Sequence, residues 1–243
     1  MIFDQSEFDI RCEWGKPGIE QLAPVSRVIV IVDVLSFSTC VEVATRQGAI
    51  VFPYQWKDES AADYAKSMNA ELVSLKRSVD RPSLSPTSLR SLAPGTRLVL
   101  PSQNGAVLSL QTGQTPTIAG SLRNNNAVAQ YIQPYKTGIS VIPAGEQWQD
   151  NSLRPALEDV IGAGAILSYL KGTRSPEAEM AVAVFDRFKH HLTTTLKQCS
   201  SGKELIAKGF ETDVELAATL NMSHCIPRLV NNAYVNVETS DLL

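Results

Sequence analysis

Arg27-Val28-Ile29-Val30-Ile31-Val32-Asp33, written RVIVIVD, is the stretch on which the fold reading turns. Its apolar run is continuous, of strand length, and ends in an acid. Such a run fits a strand buried on both faces, as in parallel sheets. Helical signals follow at once. Ser38 to Gln47 reads as a helix capped by Ser38 or Thr39, and Gly48 supplies its stop.

Working outward, the same alternation recurs. Strands are expected at Ala49–Pro53, Glu71–Leu75, Arg97–Leu100, Thr117–Ala119 and Gly138–Ile142. Helices are expected at Asp58–Met68, from Asn104, and at Arg123–Ile132. A further helix, read as capped by Ser152, carries Glu158 and Asp159. Residues 76–96 are rich in Ser, Pro and Arg and read as a long loop, either functional or a solvated connection. From Ser175 onward the chain reads as mainly helical. Repeated β-α units predict a layered α/β domain with a mainly parallel sheet. One domain over residues 1–243 is expected, with a division into two subdomains near 140–175 as the alternative.

Ligands of such sheets bind outside the carboxyl ends of the strands. That rule places four features on one rim: Asp33, Ser102-Gln103-Asn104-Gly105-Ala106, Gly120-Ser121-Leu122-Arg123-Asn124, and Ala144-Gly145-Glu146-Gln147-Trp148.

Composition narrows the function classes. With 44% hydrophobic and 19% charged residues, the profile is that of an ordinary globular protein. A net charge of -3 argues against a dedicated nucleic-acid partner, whose binding domain is usually basic. The longest apolar runs are strand-sized, so neither a membrane span nor a signal peptide is read and a cytoplasmic location is expected. Cys12, Cys40, Cys199 and Cys225 form no CxxC pair, which argues against zinc and against a disulfide framework. His190 and His191 read as a helix surface or junction.

Several residues remain as candidates for chemistry. Asp33, aimed by a rigid strand, suits a metal ligand or a nucleophile, or else an Asx turn. Amides near Asn104 and Gly105 could cradle an anion at a helix start, although Asn-Gly is equally a turn signal. Arg123 could grip a phosphate or lie on the surface. Glu158 and Asp159 precede a helix, LEDVIGAGAIL, that is apolar on nearly every side, with Gly162 and Gly164 allowing close backbone approach. Buried acids need a partner. Mg²⁺, completed by Glu146, water and substrate oxygens, would be one, and Arg154 another. Asp213 reads as the cap of a helix through ELAATL.

In order along nearly the whole chain, these stretches resemble the 2-phosphosulfolactate phosphatase family. The matching points are Asp33-Val34-Leu35, Asn104-Gly105, Gly120-Ser121 with Asn124, Ala144-Gly145, LEDVIGAGAIL, SGKELIAKGFETDVELA at 201–217, and Ile226-Pro227. The resemblance implies α/β/α layering and Mg²⁺-dependent hydrolysis of 2-phospho-3-sulfolactate to 3-sulfolactate and phosphate, a step toward coenzyme M. By position it implies Asp33, Asn104, Glu158 and Asp159 as site residues. The full expected set adds Arg77, Gly105, Arg123, Asn124 and Gly145 on the substrate side. Glu146 joins Asp33, Glu158 and Asp159 as a metal ligand. The family pattern is departed from at Ser36, where it has Arg, and at Leu75-Lys76-Arg77, where it has Gly-Glu-Arg. It is departed from again at Leu84-Ser85-Pro86, for Asn-Ser-Pro, and at Ser102-Gln103, for Thr-Thr. The expected partner is a small anionic phosphoester, and a homodimer is left open. A non-catalytic domain binding an anionic metabolite is the alternative reading.

Overall fold

The computed structural model describes residues 2–237. Strand β1 (Ile10–Cys12) and helix α1 (Gly15–Leu22) precede the RVIVIVD run, which forms β2 (Val28–Val32). Helix α2 (Phe37–Arg46), β3 (Ile50–Tyr54), α3 (Ser60–Ser67) and β4 (Glu71–Leu72) follow. Beyond the long loop come β5 (Arg97–Pro101), α4 (Gly105–Gln111), β6 (Thr117–Gly120), α5 (Asn125–Ile132) and β7 (Ile139–Pro143). A small ribbon, β8 (Glu146–Gln147) with β9 (Leu153–Arg154), leads into α6 (Leu157–Leu167). Helices α7 (Pro176–Phe188), α8 (Leu192–Gln198), α9 (Ser200–Ala207) and α10 (Glu211–Ala217) precede a closing hairpin of β10 (Pro227–Val230) and β11 (Ala233–Asn236).

Every residue of β2 is buried, and its two faces enter different cores. Val28, Val30 and Val32 pack with α5 and α6, whereas Ile29 and Ile31 pack with Ile19 and Leu22 of α1 and Leu108 of α4. Alternate side chains point to opposite faces, so a strand covered by helices on both sides has no place for a polar residue.

The sheet order is β1-β7-β2-β6-β10-β11-β3-β5-β4. Two parallel blocks, β1-β7-β2-β6 and β3-β5-β4, are joined by the antiparallel β10–β11 hairpin. The tail is therefore not helical throughout. Its turn is Asn231-Asn232, both at positive φ (50° and 63°), as a tight hairpin turn requires. Following the pairings, β3 and β5 run in the sense opposite to β2. A twist of about 20–25° per step accumulates over five steps to about 100–125°, turning that opposition into a crossing. The carboxyl ends of β2 and β5 consequently meet.

Helix α6 lies between the sheet and α7, and its glycines set the spacing. A methyl group on Gly162 would sit 2.7 Å from Val34 and 2.8 Å from Val32 on the sheet side. One on Gly164 would sit 2.0 Å from the Ala181 carbonyl oxygen of α7. In an open helix Gly164→Ala would stabilise by about 1 kcal/mol. Here the overlap reverses the sign, and urea denaturation should show a loss of about 2 kcal/mol or more. A stabilised variant would mean that α6 and α7 do not approach this closely.

Candidate active site

Asp33 ends β2 and turns the chain into α2. Its Oδ1 accepts from the Phe37 amide (3.1 Å) and its Oδ2 from the Gly105 amide (2.9 Å), so one carboxylate binds the starts of α2 and α4. The turn is closed further by Ser38, whose Oγ accepts from the Asp33 amide and donates to the Asp33 carbonyl. Gly105 is required at this contact: an added methyl would lie 2.4 Å from the Phe37 ring and 2.8 Å from Asp33 Oδ2. Its amide, expected to cradle a ligand anion, is thus engaged by Asp33.

Helix α6 begins at Leu157, with Ala156 rather than Ser152 at its cap, because residues 153–154 are drawn into the β8–β9 ribbon. Glu158 and Asp159 therefore fall in the first turn. Asp159 Oδ1 accepts from the Val34 amide (2.7 Å) and Oδ2 from the Gly145 amide (2.9 Å), tying the ends of β2 and β7 together. Gly145 thereby serves Asp159 through its backbone. Glu158 is 2% exposed and lies against the Cys199 thiol, which burial, then the Glu158 charge, pushes up to about 12. Glu146 Oε2 accepts from Asn104 Nδ2 at 2.8 Å.

These four carboxylates feel one another. Burial, then the Glu158 charge, raises the pKa of Asp33 against the pull of its two amides. Burial, then the charges of Asp33 and Glu158, holds Asp159 well above the ordinary range. Burial and the Asp33 charge push Glu146 up to about 7.

A cavity of about 270 Å³ opens over this cluster. Asp33, Asn104, Glu146 and Glu204 line it, whereas the buried Glu158 and Asp159 do not. Arg77, Lys57 and Lys208 bring positive charge to the same space, with Ser36, Ser102 and Ser201 as hydroxyl donors. Sequence reasoning missed Lys57 and Lys208, since an isolated lysine in a loop or at a helix end carries no pattern. Arg77 comes from the 76–96 loop, which is no loose connection. It holds a short 3₁₀ turn at Pro86–Leu89 and buries Leu89 completely.

Two expected substrate contacts lie elsewhere. Arg123 turns away to the fully buried Glu42 on α2 (Nε to Oε2, 2.7 Å) and to Thr219 Oγ1 (2.7 Å). It lines a separate, larger cavity of about 710 Å³ between α2 and α10. Asn124 is fully buried, with Oδ1 accepting from Ser121 and Nδ2 donating to the Ala119 and Cys225 carbonyls. It fastens the loop after β6 to the tail. Asp213 caps no helix and instead accepts from Arg77, Ser85 and Thr87.

Among the described residues, no three His, Cys, Asp or Glu side chains converge tightly enough to enclose a metal ion. The donor set still suits a cation that needs only one or two carboxylates beside water and phosphate oxygens. Asp33 and Glu146 reach the cavity, and each oxygen already accepting a hydrogen bond keeps a second lone pair.

Because Glu146 holds a proton more tightly folded than unfolded, its contribution to stability is full below its ordinary pKa of 4.5. That contribution falls as pH rises toward about 7. Relative to Glu146→Gln, the metal-free protein should lose up to about 3 kcal/mol between pH 4.5 and 8 in urea titrations. A pH-independent difference would remove the repulsion inferred for this cluster.

Among the described residues, no helix is long and apolar enough to cross a membrane. The chain is 29% identical over 226 residues to a Thermotoga maritima protein named "probable 2-phosphosulfolactate phosphatase". That match covers 88% of this chain and 96% of the relative. Proteins of the same name from Carboxydothermus hydrogenoformans (29% over 209 residues; 83% and 85% covered) and Gloeobacter violaceus (31% over 137 residues; 55% and 56% covered) are also similar. The 2-phosphosulpholactate phosphatase family model matches residues 18–232, a span from α1 through Asp33, Glu146 and the α6 acids to the closing hairpin. The chain belongs to the 2-phosphosulpholactate phosphatase family.

Proposed function

We propose that the protein is a Mg²⁺-dependent phosphatase that hydrolyses 2-phospho-3-sulfolactate to 3-sulfolactate and phosphate. The observation that carries this reading is the cavity itself. Acids and three cations line the same space, in a chain of this family. The substrate bears a phosphate ester, a carboxylate and a sulfonate, so its recognition demands several cationic groups.

Asp33 and Glu146, which line the cavity together with the exposed, Lys208-paired Glu204, would hold the Mg²⁺, with water and phosphate oxygens as its other ligands. Bound there, the ion supplies neutralisation of the charge on the phosphoryl oxygens. Glu158 and Asp159 deepen the negative potential, and Asp159 also keeps β2 and β7 in register. Asn104 orients Glu146 through its amide. Arg77, Lys57 and Lys208 bind the anionic groups of the substrate. With Asp33 assigned as a metal ligand, water is the attacking group.

Phosphate release from phosphosulfolactate should need Mg²⁺ and vanish in EDTA. Retained sulfolactate binding with no metal-dependent release from any phosphoester would make the protein a metabolite-binding module instead. Asp33→Asn and Glu146→Gln should each lower turnover at least about 100-fold. Mg²⁺ should raise the melting temperature of the wild type at pH 8 but not of Glu146→Gln. Hydrolysis of an ester made chiral at phosphorus should invert configuration, as one displacement by water requires; retention would mean two displacements and make Asp33 the nucleophile.

A further inference from the structure

We propose that Asp213 is the positioning residue that aims Arg77 at the non-reacting anionic end of the substrate; this rests on the phosphatase reading above. Asp213 lies in the first turn of α10 and is fully buried. An acid there gains about 0.3–1 kcal/mol from the helix dipole, which does not call for complete burial. Its partners come from a different element. Oδ2 accepts from Arg77 at 2.7 Å, and Oδ1 accepts from Ser85 Oγ (2.7 Å) and the Thr87 amide (3.2 Å). One carboxylate therefore fastens both arms of the 76–96 loop to α10.

The guanidinium of Arg77 is held on two further sides. Its second terminal nitrogen donates to Ser36 Oγ at 3.0 Å, on the turn that follows Asp33, and its plane lies over the Phe210 ring at 5.5 Å. An arginine has five N–H donors. Two are engaged by these bonds, and Arg77 lines the cavity in which Lys57 and Lys208 also end. Asp213 itself is not among the residues lining that cavity. It acts on a ligand only through Arg77, whose planar fork loses its value if it can rotate.

Asp213→Asn keeps an acceptor for Ser85 and Thr87 but removes the charge that fixes Arg77. The decisive measurement compares phosphosulfolactate with phenyl phosphate, which has no second anionic group. The variant should raise KM for phosphosulfolactate about 10–100-fold, the range of one lost charge-assisted contact, with kcat changed less than about 3-fold. The loss in kcat/KM should be at least ten times larger than for phenyl phosphate. Arg77→Ala should behave alike, and the double variant should be no worse than Arg77→Ala alone. Equal losses on both esters, or additive effects, would reduce Asp213 to a structural anchor and overturn the proposal. Should Asp213→Asn fail to fold, Ser85→Ala offers a gentler change that should raise KM for phosphosulfolactate a few-fold; an unchanged KM overturns it as well. Calorimetric binding of 3-sulfolactate separates this inference from the phosphatase reading. Weaker binding to Asp213→Asn supports the positioning role even if no ester is hydrolysed. Equal binding to wild type and variant refutes it even if hydrolysis proceeds.

Discussion

Two backbone amides, those of Phe37 and Gly105, close on the Asp33 carboxylate, and the site is organised around that closure. Phe37 opens the helix after β2, and Gly105 opens the helix after β5. These strands belong to parallel blocks of opposite sense, so no ladder hydrogen bond can bring their carboxyl ends together. A side-chain carboxylate does so instead. Each amide is one of the unsatisfied donors at a helix start, and the acid satisfies one on each helix at once. Asp159 repeats the device between β2 and β7, receiving the amides of Val34 and Gly145.

The same choice creates an electrostatic burden. Carboxylates used as braces must be buried, and burial of neighbouring like charges disfavours ionisation. Arg154, across the ribbon from Glu146, offsets these charges only in part. Arg123 is committed to Glu42 and Arg77 to Asp213. Each of these ion pairs answers an acid outside the cluster, which is left short of positive charge. On the proposed reading, a cation from outside would relieve that deficit, and a phosphate arriving with it would meet Lys57 and Lys208 in the same cavity. Recognition and structural tension share one origin.

How much of this was legible beforehand depended on range. RVIVIVD declared a doubly covered strand because its neighbours in sequence carry the signal, and the strand-end acid was visible with it. The acid pair ahead of LEDVIGAGAIL was equally plain, since charge beside an apolar run is a local contrast. The roles of Arg123 and Asp213 were not. Their partners, Glu42 and Arg77, lie 81 and 136 residues away along the chain, and no local pattern announces them. The helix start at Leu157 was displaced because pairing with Glu146 and Gln147 draws Leu153 and Arg154 into a strand, a tertiary effect that overrides the Ser152 cap signal. The closing hairpin was hidden by brevity: two four-residue strands flanking Asn231-Asn232 look like loop until their partners in the sheet are known.

That hairpin also fixes when the molecule can become whole. It fills the seam between β6 and β3, with Tyr234 fully buried, its hydroxyl on Ser109 and its ring edge-on to Phe37. Strands made early in synthesis cannot close their shared sheet until residues 227–236 have left the ribosome. Until then two half-sheets expose unpaired edges, and contacts of such long sequence separation form slowly. These strands, the latest among the described residues, are the keystone of the sheet, so a chain stalled before them would present both edges to the chaperone machinery.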